Sequence, residues 1–155
     1  MCLFHYVQGV VRYNVFDARP NEALNVTVAV ERSSKRCKAN IKVCARYLLR
    51  DGKSNMAILE TKLVSGFIPD KESLDKVIGT GKGPIKRYDV DGSDVLFYVD
   101  ELTPKEICVE FEAIQKLYIW NRKAGTVKVY DYYEPQFQVT AVSNSRLPFE
   151  ALLAF

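Results

Sequence analysis

Histidine, the residue that most often carries enzyme chemistry, is nearly absent: His5 stands alone among 155 residues. A lone histidine in a predicted strand is typical of a structural role, because a general base needs a positioned partner and none is recognisable here. Nucleophile-elbow, P-loop and dinucleotide-binding motifs are also missing. The sequence therefore predicts a protein that is not an enzyme and that binds no cofactor.

Metal-ligand spacings are missing as well. The four cysteines form no CxxC pair, the spacing that zinc sites commonly use. The acidic turn "DVDGSD" at residues 89–94 spaces its aspartates like a calcium loop, but Tyr98 stands where the closing glutamate is required. We predict no metal site, and we interpret residues 89–94 as a hairpin turn and "GTGKG" at 79–83 as a flexible turn.

Runs of like charge and long apolar runs are the next absences. The 22 basic and 19 acidic residues give a net charge of +3 without clustering, which excludes the electrostatic pattern of a nucleic-acid binder. No window holds the roughly 18 apolar residues that a membrane span needs. The opening "MCLFHYVQGVVRYNV" has no basic leader and contains Arg12, so it is not a signal peptide. A secreted protein would therefore include further sequence upstream.

Period-2 alternation of apolar and polar residues is abundant, and it predicts strands with one buried face. The predicted inward-facing sets are Leu24, Val26, Val28 and Val30; Ile41, Val43, Ala45 and Tyr47; Val95, Phe97 and Val99; Ile107, Val109 and Phe111; Val127 and Val129; and Phe137, Val139 and Ala141, while Ile58, Leu59 and Leu63 are the apolar residues of a further strand in "MAILETKLV". Turn-forming stretches separate these runs. We predict an all-β fold, an antiparallel β-sandwich, with residues 1–145 as one domain and 146–155 as an apolar C-terminal tail.

One segment breaks the alternation. "DKESLDKVIG" at residues 70–79 predicts a single short α-helix, with Asp70 as the N-terminal cap and Gly79 at the C-terminal end. Leu74, with Val77 or Ile78, supplies a narrow apolar stripe. Because two to three turns are too few for a stable isolated helix, we expect this helix to pack on the sandwich with its lysines in solvent.

The tyrosines of "VYDYY" at residues 129–133 allow a sharper prediction. Strand alternation places Val129, Asp131 and Tyr133 on one side and Tyr130 and Tyr132 on the other, and both sides cannot be equally apolar. We expect Tyr130 and Tyr132 on the wetter face with their hydroxyls bonded, or else a β-bulge near Asp131.

The cysteines leave the redox state open. Cys37 and Cys44 lie on one predicted strand, roughly 23 Å apart at about 3.3 Å per residue, so they cannot form a disulfide with each other. Other pairings that include Cys2 and Cys108 are open, and free buried thiols fit equally well. "NVT" at residues 25–27 makes Asn25 a candidate glycosylation site, provided that it faces away from the core.

Three stretches carry a family resemblance. They are "NMAILETKLVSGFIPDKESLDK" at 55–76, "VLFYVDEL" at 95–102 and "VKVYDYYEP" at 127–135. Together with the opening strand, they resemble the C-terminal receptor-binding domain of alpha-macroglobulins and related thioester-containing proteins, over about residues 2–142. The resemblance implies a β-sandwich with a short helix inside a large secreted protein that traps proteases or opsonises. It also implies an extracellular location, and partners that include the other domains of the parent chain and, indirectly, proteases.

The resemblance also implies a receptor site on the helix. In the family, proteolysis exposes this domain to a clearance receptor of the low-density-lipoprotein-receptor class, whose acidic pockets take lysine ammonium groups. Lys71 matches the first receptor lysine of the family, but the second position holds Asp75, with Lys76 beside it. Positions five residues apart lie about 140° around a helix, so Lys71 and Lys76 do not share a face. Lys71, Lys76 and Asp75 are the predicted receptor-binding residues.

Three functions are compatible with this pattern. The first is the receptor-binding module of a secreted alpha-macroglobulin-type endopeptidase inhibitor. The alternative is a structural or effector domain of an innate-immune, complement-like thioester-containing protein that lacks that receptor. A membrane-tethered relative is a third hypothesis, suggested by the small residues "SNS" before "LPFEALLAF", but Glu150 and the shortness of the tail argue against a lipid anchor.

Overall fold

The computed structural model describes residues 23–32, 37–50, 52–79 and 84–143, and every structural statement below refers to that part of the chain. Some sequence predictions fall on other residues. The first predicted strand with His5, the pairing of Cys2, and the tail at 146–155 lie outside the described residues.

The described residues form nine strands and one helix. In chain order they are β1 (Leu24–Arg32), β2 (Lys38–Tyr47), β3 (Ala57–Lys62), β4 (Phe67–Pro69), α1 (Lys71–Ile78), β5 (Ile85–Asp91), β6 (Asp94–Val99), β7 (Ile107–Gln115), β8 (Thr126–Asp131) and β9 (Gln138–Val142). Sheet A has the order β1-β2-β7-β4, and sheet B has the order β5-β6-β3-β8-β9. All paired strands are antiparallel, which confirms the predicted β-sandwich.

The core lies between the two sheets, where alternate side chains point inward. In β6, Val95, Phe97 and Val99 are fully buried, while the residues between them are half-exposed. Phe111 of β7 meets Phe97 across the interior, with the ring centroids 5.5 Å apart. The predicted alternation is thus confirmed in both sheets, because each has one wet face and one packed face.

Helix α1 connects the two sheets. It follows β4, an edge of sheet A, and precedes β5, an edge of sheet B, and it contacts β7 and β5. Leu74 is fully buried, whereas Val77 and Ile78 are half-buried. The predicted bounds and apolar stripe are therefore confirmed, and the helix covers one open side of the sandwich. On the opposite side, β1 contacts β8 and β9 directly.

Strand β5 was not predicted from the sequence because it lies at the edge of sheet B. Ile85 is its only buried residue, so its side chains show no alternation. A β-bulge between Ile85 and Arg87 further disrupts the pattern. The following turn agrees with its prediction: Asp91 pairs with Asp94, and Gly92, with a φ of 60°, makes the tight reversal between β5 and β6.

The tyrosine prediction is confirmed in part. Tyr130 is half-buried and Tyr132 is exposed, opposite to the buried Val129 and Asp131, and β8 pairs regularly to its end without a bulge. Neither hydroxyl is hydrogen-bonded to another described residue, so the bonding of these hydroxyls stays a prediction; the centroid of the Tyr130 ring lies 5.1 Å from the Lys128 ammonium nitrogen. Tyr133 is also exposed, because the strand ends at Asp131 and the alternation ends with it.

The cysteines form one disulfide in the described part of the chain. Cys44 of β2 is bonded to Cys108 of β7, its direct register partner, on the outer face of sheet A. Cys37 is an exposed free thiol, whereas the sequence had left its pairing open. It precedes β2 in a turn with a φ of 61°, so its predicted place on the strand was wrong. Glu106 lies beside the two bonded sulfurs, which as a disulfide offer no thiolate to a metal.

Within the described ranges, no helix has the length and apolar character required to cross a bilayer.

Candidate functional site

The N-terminus of α1 is fixed to the central part of sheet A. The Asp70 amide donates a hydrogen bond to the Glu112 carbonyl oxygen at 2.8 Å, and the Glu112 amide donates one to the Ser73 hydroxyl at 2.9 Å. The Ser73 hydroxyl itself donates to the Asp70 carbonyl oxygen at 2.7 Å. These bonds close a small ring between helix and strand, so the first turn of α1 is held in one position.

Asp70 occupies the predicted N-cap position, but its carboxylate does not cap the helix. It accepts a hydrogen bond from the Lys38 ammonium at 2.5 Å, and the same ammonium donates to the Glu112 carboxylate at 2.8 Å. The correction has a physical reason: a charged donor from β2 competes better for a carboxylate than a neutral backbone amide does. Gly79 lies at the C-cap, as predicted, although its right-handed backbone does not require glycine.

The contacts between Lys38, Asp70 and Glu112 shift the pKa values of Lys38 and Asp70. Hydrogen bonds to Asp70 and to Glu112 raise the pKa of Lys38 above its ordinary value. The hydrogen bond from Lys38 lowers the pKa of Asp70. Lys38 and Asp70 therefore both stay ionised near neutral pH, and the cluster joins β2, β7 and the N-terminus of α1.

We expect the contribution of Asp70 to stability to depend on pH. Because the pKa of Asp70 is lower in the folded protein than in the unfolded chain, the stabilisation is fully present above the unfolded value of about 4. It is lost as the pH falls through the lowered folded value. The difference in free energy of unfolding between wild type and Asp70→Asn should accordingly be constant above about pH 5 and shrink below about pH 4. Urea unfolding at stepped pH measures it.

The Lys38→Met background supplies the control for this prediction. Without the Lys38 ammonium, the largest cause of the low Asp70 pKa is gone. In this background, Asp70→Asn should therefore change the free energy of unfolding at neutral pH by less than it does in wild type. An Asp70→Asn effect that stays constant down to pH 2, or one that is unchanged by Lys38→Met, would contradict the assignment.

The three predicted receptor-binding residues are all exposed on α1, but they differ in their neighbours. Lys71 is the first residue of the helix, and neither it nor Lys76 forms an ion pair with a described residue. Asp75 accepts a short hydrogen bond from the hydroxyl of Tyr88 on β5, which raises the pKa of Tyr88. Lys76 borders a groove between the helix and sheet A that Lys38 also lines. The helix thus brings Lys71 and Asp75 to one face and turns Lys76 toward another.

Lys38, Ser73, Glu112 and Tyr88 were missed by the sequence analysis. Lys38 and Glu112 act on the helix from β2 and β7, which are distant in sequence, and Tyr88 acts from β5, the next element, so no spacing within the helix indicates them. Ser73 lies in the first turn of the predicted helix. Its role could have been recognised from the sequence, because a serine hydroxyl at that place commonly hydrogen-bonds to a nearby backbone group.

The candidate glycosylation residue lies on β1, opposite Arg46 of β2. Asn25 is half-buried, and Thr27, two residues on, is exposed on the same face. This is the orientation that the sequon needs, and glycosylation of Asn25 stays a prediction.

Comparison with known proteins adds an independent line of evidence. Residues 52–144, which include α1 and β3 to β9, match the family described as the A-macroglobulin receptor binding domain. Ovostatin of Gallus gallus is 29% identical over 137 residues, which cover 84% of this chain and 9% of ovostatin. Ophiophagus venom factor of Ophiophagus hannah is 32% identical over 106 residues, which cover 64% of this chain and 6% of that protein. The chain therefore spans less than a tenth of the length of either relative.

Proposed function

The chain belongs to the alpha-macroglobulin receptor-binding-domain family, a non-catalytic module, and from this premise we propose that it is the receptor-binding module of a secreted alpha-macroglobulin-type endopeptidase inhibitor. A clearance receptor of the low-density-lipoprotein-receptor class binds it at α1, with Lys71 as the anchor. The observation that carries the proposal is an exposed lysine without an ion pair to a described residue, on a helix whose first turn is fixed.

Two properties of the helix support this role. A fixed helix offers its lysine with little loss of conformational entropy on binding, because the backbone is already ordered. The Lys38 ammonium, which Asp70 shares with Glu112, also partly compensates the charge of Asp70, the acidic residue next to Lys71, so this carboxylate repels an acidic receptor less. The disulfide between Cys44 and Cys108 supports an extracellular location, since such bonds persist in oxidising compartments.

One observation favours the alternative, a structural or effector domain of an innate-immune, complement-like thioester-containing protein without this receptor. Asp75 stands one helical turn from Lys71, and the Tyr88 hydroxyl holds its carboxylate in place. A fixed negative charge on the same face weakens an acidic partner's contact. Lys76 lies about 140° around the helix and cannot replace a lysine at that place.

The proposal predicts the effects of substitutions on α1. Lys71→Ala should weaken binding of the domain to a receptor ectodomain of this class by about 5- to 150-fold, as for a charged anchor worth about 1–3 kcal/mol. Asp75→Lys should tighten binding, because it restores two cations one turn apart. Asp75→Asn removes only the negative charge and should lie between wild type and Asp75→Lys. Isothermal titration at low and high salt measures these differences, which should shrink as salt rises.

Lys128→Ala is the matched control, since it removes the same charge from β8 of sheet B, on the outer side of the sandwich away from α1. It should leave receptor affinity unchanged. A folded wild-type domain that does not bind at low salt, or a Lys71→Ala variant with wild-type affinity, would reject the receptor role and leave the structural-domain alternative. The inhibitor role of the parent chain is tested separately, by protease trapping with the full-length protein.

A further inference from the structure

The loop between β7 and β8, residues 116–125, exposes three large apolar side chains that the proposed function does not use. The exposed fractions are 66% for Leu117, 56% for Tyr118 and 85% for Trp120. Scattered single apolar residues are common on protein surfaces, but neighbouring large ones mark interaction sites. We call residues 116–123 the Trp120 loop.

The backbone of the Trp120 loop is fixed to the segment after β3. The amides of Lys116 and Leu117 both donate to the Gly66 carbonyl oxygen, at 2.8 and 3.1 Å. At the other end of the loop, the Lys123 amide donates to the Ser65 hydroxyl at 3.2 Å. Both ends of the loop are therefore tied down, and its tip stands out from one end of the sandwich.

The aromatic side chains of the Trp120 loop are also ordered. The Arg122 guanidinium lies 5.2 Å from the centre of the Tyr118 ring, and its Nε donates to the Ile119 carbonyl oxygen at 3.1 Å. The Tyr118 and Trp120 rings meet edge to face, with 6.5 Å between their centroids. The apolar surface is thus preformed rather than collapsed, although it faces solvent.

The segment that carries these rings has charge of one sign, while the β5–β6 turn with Asp91 and Asp94 lies at the same end of the sandwich, where Lys62 pairs with Asp94. Residues 115–128 contain no aspartate or glutamate and four basic residues, Lys116, Arg122, Lys123 and Lys128. Lys116 and Lys123 are exposed, and neither forms an ion pair with a described residue. Exposed tryptophan and tyrosine flanked by lysine and arginine are typical of surfaces that bind the interface of a lipid bilayer.

We propose that the Trp120 loop docks on the surface of a bilayer that contains anionic lipids. The Leu117 and Trp120 side chains enter the interfacial region, and Lys116 and Lys123 contact the negative headgroups. The chemistry favours lipid over a sulfated polysaccharide, which attracts the lysines but offers no apolar phase for Leu117. It also favours lipid over a protein partner, since a protruding tip needs a matching pocket in a protein but none in a fluid interface.

This proposal does not depend on receptor binding at α1. The Trp120 loop stands at the end of the sandwich where β7 ends and β8 begins, whereas α1 covers the side between β7 and β5. The two surfaces are distinct, so a lipid surface and a receptor can be engaged by different residues.

The opposite end of the sandwich supplies a matched control. Tyr132 and Tyr133, just after β8, are exposed and meet edge to face, with 5.2 Å between their ring centroids. Their neighbours in sequence are the acidic Asp131 and Glu134 rather than lysines. An aromatic pair without basic neighbours should have little affinity for an anionic bilayer.

Sedimentation with vesicles of phosphatidylcholine mixed with phosphatidylserine tests the proposal. Wild type should bind them and should bind pure phosphatidylcholine vesicles much more weakly. Trp120→Ala should lower the partition coefficient roughly tenfold, and Lys116→Gln and Lys123→Gln about fivefold each. Tyr133→Ala should bind like wild type. Trp120 is the single tryptophan of the chain, so its emission should shift to shorter wavelength when mixed vesicles are added to wild type.

Several results would overturn the proposal. If wild type stays in the supernatant with the mixed vesicles, docking on a bilayer is excluded. If the Trp120→Ala variant binds these vesicles as well as wild type does, docking through this loop is excluded. Binding to heparin that is insensitive to Trp120→Ala, without vesicle binding, would show a polyanion surface instead. Wild type could instead form concentration-dependent dimers and fail to bind vesicles. If Trp120→Ala abolishes those dimers, the loop contacts a second copy of the chain rather than lipid. Circular dichroism of each variant separates these results from misfolding.

Discussion

Replacing Leu74 with alanine should lower the free energy of unfolding by about 3 kcal/mol, within the range of about 2–5 for buried leucines. Leu74 is fully buried and is the one buried residue of an eight-residue helix. A helix of this length is not stable alone, so its order depends on this side chain. Urea unfolding should show the loss as a lower midpoint. Amide hydrogen exchange should be faster in the variant than in wild type, and the increase should be largest in residues 71–78.

The effect of Leu74→Ala should extend to function. A helix that is no longer docked cannot hold Lys71 in one orientation, so receptor affinity should fall although Lys71 itself is unchanged. Val77→Ala is the control, because Val77 is only half-buried and its truncation should cost about 1 kcal/mol. A Leu74→Ala variant that is as stable as Val77→Ala would show that the anchoring bonds of Asp70 and Ser73 suffice without the apolar contact.

Removing the disulfide by Cys44→Ala with Cys108→Ala should lower the free energy of unfolding by about 2–5 kcal/mol. The two cysteines are 64 residues apart in sequence, so the bond removes many conformations from the unfolded chain. The bond lies on the outer face of sheet A, and its loss leaves no cavity in the core. Reduction of wild type should produce a similar loss, and both can be followed by thermal unfolding.

Cys37→Ala is the control for the disulfide prediction. Cys37 is exposed and free, so its removal should change stability by less than about 0.5 kcal/mol. Equal stability of the double variant, the Cys37 variant and wild type, with no effect of reductant, would contradict a stabilising Cys44–Cys108 bond.

Much of the fold could be predicted because its periodic features are local. The alternation of Val95, Phe97 and Val99 reflects a strand with one wet face, and β6 has that environment. The helix was predicted because the apolar spacing changes after Pro69 and because Gly79 ends it. The spacing of apolar residues and the positions of turn-forming residues are properties of short segments, so a single sequence is enough to recognise them.

The features that were missed depend on contacts between distant segments. The pairing of Cys44 with Cys108 needs the register of β2 on β7, which no local pattern encodes. Lys38 reaches Asp70 only because β2 and β4 both pair with β7, which brings the two residues to the same part of sheet A. Strand β5 has a single buried residue, Ile85, so its sequence lacks the periodicity of a packed strand.

The candidate site shows the same division. Exposure of Lys71 and Lys76 followed from the helical pattern around Leu74. The hydrogen bond between Asp75 and Tyr88 did not, since it depends on how α1 lies against β5. The roles of Lys71, Lys76 and Asp75 in binding stay predictions.

The pairing of β2 with β7 has a consequence for biosynthesis. Strand β2 ends at Tyr47, and β7, the strand that pairs with it, ends at Gln115. The pairing of β2 with β7 therefore cannot form until most of the domain has left the ribosome. Until then, β2 presents an open edge and Cys44 an unpaired thiol. Long-range pairing of this kind is slow, and the waiting hairpin of β1 and β2 is exposed to other chains. During the interval before β7 emerges, the β2 edge and the Cys44 thiol are therefore open to incorrect pairing.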